Sequence, residues 1–305
     1  MMTARMRVLF VLAAFMLAGC TLLLPAVTTR IEHEPRAFDS KDAVSPVAIA
    51  LVLSGGSARG FAHIGVIRVL EQAGIRPDLV VGTSAGSIVG ALYASGMSVG
   101  ELESAANQAG DSLLSDYSVT LAPLGLLRGD RIREFINGAV QNKLIEQFPI
   151  RFAAVAADLR TGELVAFNRG DAGQAVRASS AIPGVFEPAR IGSRLYADGG
   201  LVSPLPVATA RAIGARKVIA VDVVFPPAGN PITSPLAVMF QTFLIQTYRL
   251  KELERPLADV VITPVMRTDG QLGFADRAEL MAAGEDAARA ALPRIRAALS
   301  AMVTR

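Results

Sequence analysis

The chain is short of the side chains that do most of the chemistry near neutral pH. It has one cysteine and two histidines, and aromatics make up 6% of its 305 residues. A single cysteine excludes an intramolecular disulfide, so Cys20 needs another explanation. The two histidines, His33 and His63, exclude any mechanism that calls for a histidine late in the chain. Excess charge is missing too. The formal +3 includes Arg5 and Arg7, and removing those two from 30 basic residues leaves 28 against 27 acidic ones over residues 20–305. So even a balance carries no footprint for nucleic acid. What is present is 51% hydrophobic residues, which fits a globular α/β chain of one large domain or two ordinary ones.

Arg5 and Arg7 precede an apolar run, Val8 to Met16, that ends in Leu17-Ala18-Gly19-Cys20. A charged start, a short apolar core and small residues before a cut site describe a secretory signal, too short to span a bilayer comfortably. Leu17 to Cys20 resemble the lipobox of bacterial lipoproteins, against the alternative of an ordinary signal with a chance cysteine. The resemblance implies removal of residues 1–19, lipidation of Cys20 and a lipid-anchored place in the bacterial cell envelope. Thr21, where an aspartate would retain the protein, implies the outer membrane. Residues 20–46 carry Pro25, Pro35 and Pro46 without a strand or helix period and are expected to be a flexible tether to a domain over 47–305.

Within that domain short apolar strands alternate with amphipathic helices, which predicts a three-layer α/β/α sandwich with a mainly parallel central sheet. The stretch Leu79 to Tyr93 reads as strand, sharp turn and helix around Gly82-Thr83-Ser84-Ala85-Gly86. A serine at such an elbow is held in strain with its hydroxyl exposed, and Gly82 and Gly86 give the turn room to close. Ser84 is therefore a candidate nucleophile. One strand earlier, Val47 to Leu53 runs into Ser54-Gly55-Gly56-Ser57-Ala58-Arg59-Gly60 and then a helix. Such a loop aims backbone N–H groups at one spot where the helix dipole also favours negative charge. As a dinucleotide fingerprint it is poor, and beside an elbow serine an oxyanion hole is the better assignment. Arg59 is either a phosphate contact or a brace for the loop.

Further along, residues 111–129 form an irregular insert, read as surface packing with a lid or acyl-groove wall as the alternative. Leu236 to Tyr248 reads as an apolar core helix, and the alanine-rich end is expected to be helical with an interruption near Pro293. Asp198 stands where a short strand meets Gly199 and Gly200, so its carboxylate can enter a tight backbone corner. An Asx-type turn is the plainer reading of the same pair. The serine needs a base, and no histidine follows position 63, so the α/β-hydrolase triad is unavailable. By elimination the base is a carboxylate or a lysine.

Gly55 to Gly60, Gly82 to Gly86 and Asp198-Gly199-Gly200, in that order, resemble the patatin-like phospholipase family, and Ser179 to Pro188 resembles its bacterial members. The resemblance spans about residues 47–224. It implies a Ser-Asp dyad, with Ser84 as nucleophile and Asp198 as base, that cleaves fatty-acyl esters of phospholipids or other lipids. No cofactor or metal is implied. Where the family's loop usually has glycine this chain has Ser57. A small-ester esterase, a lipid transacylase and an inert lipoprotein binding module remain as alternatives, and the oligomeric state is open.

Overall fold

Eleven short strands and eight helices follow one another in the computed structural model, which describes residues 33–39, 47–109, 116–117, 124–227, 231–266 and 276–301. The leader, Cys20 and most of the expected tether lie outside the described residues, as do 111–115 and 118–123 of the insert. From His33 onward the chain forms one compact unit. The strands are β1 (Arg36–Ala37), β2 (Val47–Leu53), β3 (Leu79–Thr83), β4 (Gly125–Leu127), β5 (Arg151–Asp158), β6 (Leu164–Arg169), β7 (Gly184–Phe186), β8 (Ala189–Ile191), β9 (Arg194–Asp198), β10 (Ala215–Val221) and β11 (Val260–Ile262). The helices are α1 (Phe61–Gln72), α2 (Ala85–Ala94), α3 (Val99–Ala109), α4 (Asp130–Ala139), α5 (Ala172–Ser179), α6 (Val207–Ala212), α7 (Pro235–Glu254) and α8 (Arg277–Ser300).

The main sheet runs β1-β6-β5-β3-β2-β10-β11, parallel from β5 to β11, with β6 antiparallel to β5 and β9 also paired antiparallel to β5. Alternation explains why it is covered on both faces. Along β2, Leu51 and Leu53 join one apolar cluster with Val66, Ile67 and Ile295, while Ala50 and Val52 join another with Leu205, Val207 and Ala210. Successive side chains on a strand point to opposite faces, so a strand apolar at every position needs helices on both sides. The expected three-layer α/β/α architecture is what forms. Leu53 pairs with Gly82 in parallel register, so the loops after β2 and β3 open side by side at the sheet's carboxyl end.

Two expectations change at the ends of the chain. Residues 36–37, inside the stretch expected as a tether, form β1 on the edge of β6, and the Phe38 N–H donates to the Ala166 carbonyl at 2.7 Å. An edge strand presents unpaired backbone groups that any adjacent extended segment can satisfy. The expected break at Pro293 is absent, and α8 is continuous. Its buried stripe, Leu280, Gly284, Ala288, Ala291 and Ile295, leaves Pro293 on the exposed side. Packing along that stripe outweighs one lost helical hydrogen bond.

Candidate active site

Ser84 sits at the junction of β3 and α2 with φ 53° and ψ −124°, a conformation costly for a side chain and enforced by its neighbours. A Cβ on Gly82 would come within 2.4 Å of the Gly86 carbonyl, and one on Gly86 within 2.1 Å of the Leu53 carbonyl. The elbow closes only because both positions lack a side chain. Its backbone is also tied from a distance: the Ser84 N–H donates to the Ser179 hydroxyl at 3.0 Å, and that hydroxyl donates to the Val155 carbonyl at 2.6 Å. Ser179 is fully buried at the end of α5. Its stretch is legible as family-like in the sequence, but its contact with Ser84 across 95 residues is not.

Asp198 ends β9 and is fully buried. Its Oδ1 accepts the Gly200 N–H at 2.7 Å, which is the Asx-type turn. Its Oδ2 has no hydrogen-bond partner among the described residues. Burial pushes the carboxyl up to about 7, opposed by the Ser84 hydroxyl and by the Gly200 N–H, which favour its charged form. Ser84 thus approaches Asp198 closely enough to affect its charge without a well-formed hydrogen bond, a looseness common in sites without substrate. Both residues line one small cleft, walled on its apolar side by Ile182, Phe225, Phe243 and Leu244. A Cβ on Gly200 would meet Phe243 at 2.9 Å and Asp198 Oδ1 at 3.0 Å, and one on Gly199 would come within 2.2 Å of the Val155 carbonyl.

The glycine-rich loop also lines the cleft, through Gly55, Gly56 and Ser57. Its donors are not all available. The Gly55 N–H is engaged with the Pro204 carbonyl at 3.0 Å and the Arg59 N–H with the Gly56 carbonyl at 3.1 Å, so of the loop residues that share the cleft with Ser84 it is Gly56 and Ser57 whose N–H groups can be offered to a ligand. Ser57 takes φ 52°, the left-handed region that favours glycine, so the serine there is tolerated at a strain of about 1 kcal/mol. Gly56 has no space for a side chain, because a Cβ would lie 2.9 Å from the Val223 carbonyl. Arg59 lays its guanidinium over the Phe225 ring, 3.7 Å from the centroid, and so braces the cleft wall. Gly60 packs its bare Cα against Ala85.

The histidines and Lys251 are engaged elsewhere. His63 is fully buried in α1, its Nε2 bonded to the Ser54 carbonyl at 2.9 Å, and burial lowers its pKa to about 4. It braces the loop's first residue as a neutral ring. The His33 carbonyl accepts from the Asp171 N–H on the edge of the compact unit. Lys251 is held by the buried Asp222 at 3.1 Å and by the Val224 carbonyl at 3.0 Å. Arg255 also pairs with Asp222, and together the three fix the chain leading to Phe225. Among the described residues no group of acidic, histidine and cysteine side chains is arranged to hold a metal ion.

A three-layer α/β/α sheet with a serine at a strand–helix elbow, facing a buried carboxylate across an apolar cleft, defines a class of esterase-like folds. This chain belongs to the patatin-like phospholipase family, whose model matches residues 51–211 and so includes both Ser84 and Asp198. An uncharacterized NTE family protein of Mycobacterium tuberculosis is 35% identical over 295 residues, covering 86% of this chain and 50% of that protein. The mouse patatin-like phospholipase domain-containing protein 6 is 36% identical over 181 residues, or 57% of this chain and 13% of that one. The chain spans about half the length of the mycobacterial relatives it matches. Among solved structures, VipD from Legionella pneumophila aligns over 90% of this chain and 73% of its own at 14% identity, with a TM-score of 0.47.

Proposed function

We propose that the chain is a serine acyl hydrolase that cleaves fatty-acyl esters of phospholipids or related lipids, with Ser84 as nucleophile and Asp198 as base. The observation that carries this reading is a buried Asp198 whose free Oδ2 and near-neutral pKa stand beside the elbow serine in one cleft. A carboxyl titrating near 7 is a far better proton acceptor than one near 3.9, and about half of it is ionised at neutral pH. Asp198 takes the Ser84 proton as Oγ bonds to the ester carbonyl carbon. The carbonyl oxygen, now negative, is met by N–H groups of Gly56, Ser57 and the start of α2. The intermediate expels the alcohol, which leaves with the proton from Asp198, and the acyl group stays on Ser84. Water then attacks the acyl carbon, giving its proton to Asp198, and the fatty acid departs as Ser84 recovers that proton. The apolar wall of Phe243, Leu244 and Ile182 suits an acyl chain.

The reading extends to the ends of the chain. Residues 1–19 act as a lipoprotein signal, Cys20 carries the lipid, and residues before β1 tether the domain to the outer membrane of a bacterial envelope. The supporting feature is the leader's Arg5 and Arg7, short apolar run and Leu-Ala-Gly-Cys end. Two or more acyl chains are enough for stable anchoring, at about 0.8 kcal/mol per buried methylene.

The test is covalent labelling by a fluorophosphonate together with product analysis on mixed bacterial phospholipids. Wild type should label and release fatty acid, Ser84→Ala should do neither, and Asp198→Asn should cut turnover by about 10² or more. Near-normal hydrolysis by Asp198→Asn would assign the base elsewhere. Acyl transfer to an added alcohol in preference to water would make the chain a transacylase.

A further inference from the structure

Helix α7 has an inner apolar face that is covered and an outer face, Val238 and Ile245 with Thr242 and Gln246, that is uncharged and exposed. From Pro231 to Tyr248 the chain carries no charged residue across 18 positions. Phe243, Leu244 and Thr247 turn inward and wall the Ser84 cleft. On the side away from them Val238 is 50% exposed and Ile245 46%, while Met239, 50% exposed, lies on the flank one turn before Phe243, and Ile232 is 57% exposed just before the helix. A solvent-facing helix side normally carries charge, and its absence over several turns marks a surface with something to bind. The helix is well made for its place: Pro235 opens it and the Ser234 hydroxyl caps the Ala237 N–H at 3.1 Å. The exposure is therefore not a frayed end. Next to it lies the small parallel ribbon of β4 and β7, where a Cβ on Gly184 would touch Leu236 at 2.9 Å and Met239 at 3.2 Å. Leu126 of this ribbon is 51% exposed, and Leu124 just before it 65%.

We infer that this uncharged face of α7 is the surface by which the domain seats on a lipid bilayer, placing the mouth of the Ser84 cleft at the headgroup level. The inference rests on the lipid-ester reading above for its direction, because the exposed residues and the cleft wall are opposite sides of one helix. Whatever holds Val238 and Ile245 is thereby brought to the cleft. A bilayer is the occupant that also holds the acyl ester. Charge agrees with this choice: the first charge met along the helix is the exposed Arg249, suited to anionic headgroups, while Lys251 and Arg255 are already committed to Asp222. A helix lying in the interface in this way has its apolar side in the acyl boundary and needs no spanning segment. No helix among the described residues is long and apolar enough to cross a membrane.

The experiment uses the full chain carrying Cys20→Ala, so that no acyl anchor holds it, and Ser84→Ala, so that the lipid stays intact. Sedimentation with phosphatidylcholine–phosphatidylglycerol vesicles should carry this protein down. Adding Val238→Glu and Ile245→Glu, neither of which lines the cleft, should lower partition by about tenfold or more. With Ser84 restored, the pair should slow hydrolysis of vesicle-held phospholipid in step with binding and leave a soluble short-chain ester within about twofold. Equal vesicle binding with and without the glutamates overturns the inference. So does a wild-type face that ignores vesicles and instead forms a dimer, by light scattering, that the glutamates dissociate. Vesicle binding lost in the variants with no ester hydrolysis by any form upholds the surface and removes the enzymatic reading.

Discussion

Asp198 is a carboxyl whose environment, rather than its identity, sets its behaviour. Held near 7 by burial, it loses its proton only as pH rises through neutrality. Hydrolysis of a soluble ester should accordingly fall about tenfold per pH unit below about 7 and level off above it, as a stopped-assay pH profile would read. Stability runs the other way. The unfolded carboxyl titrates near 3.9, so between about 4 and 7 the folded state keeps a proton the unfolded state has lost. This stabilising contribution is complete below about pH 4 and is lost as pH rises through about 7. Asp198→Asn removes the buried charge, and in urea melts at pH 8 it should exceed wild type by on the order of 2–4 kcal/mol, the gap closing toward pH 4. Ser179 offers a second check at this scale. Ser179→Ala removes the acceptor of the Ser84 N–H and one donor to the Val155 carbonyl, and it should cost about 1–3 kcal/mol in denaturant melts. Because the elbow then loses its tie, kcat on a soluble ester should fall with KM little changed.

Between elements, the tightest constraint is the crossing of α1 and α8. A Cβ on Gly65 would lie 1.9 Å from the Met281 carbonyl, and one on Gly284 would lie 2.0 Å from the Ala62 carbonyl. Two helices meeting backbone to backbone cannot accept a side chain without moving apart. Gly284→Val should lower stability by roughly 1–3 kcal/mol or more in thermal melts, and fluorophosphonate labelling should weaken with it, since α1 begins where the glycine-rich loop ends. The same level of structure divides α7. Its apolar run reads in sequence as core, yet only Phe243, Leu244, Thr247 and Lys251 are buried along it. A run apolar on every side gives no period, and what covers each side depends on neighbours far away in the chain. Gly56 is a similar case. From its sequence setting it is a free turn residue, whose replacement should lower turnover with little loss of folding. Packed under Val223, it is a position whose replacement disturbs the fold as well as the loop.

At the scale of the whole molecule, the compact unit begins at His33, ahead of the strand that opens the sequence pattern. Cys20 lies outside the described residues, and its role is tested in the cell. Expressed from its own leader in a bacterial host fed a labelled fatty acid, the wild type should take up label and fractionate with membranes. Cys20→Ala should stay unlabelled by that route, and equal labelling of both would remove the anchor. The uncharged face of α7 and the proposed Cys20 anchor are separable, because one would act through surface burial and the other through acyl chains.

Local chemistry made much of this protein legible in its sequence. Elbow, loop and corner each depend on small residues within five or six positions, so Gly82, Gly86, Gly199 and the serine and aspartate between them mark their places without a fold. The strand and helix order is equally local, written as alternating and helical spacing of apolar residues. Long-range contact decided the rest. Burial by β5, α5 and α7 sets the pKa of Asp198, the Pro204 carbonyl takes the Gly55 N–H out of the loop's donor set, and Ser179 reaches Ser84 across 95 residues. Desolvation and hydrogen-bond pairing are properties of the packed neighbourhood, and no residue carries them before the sheet brings its neighbours together.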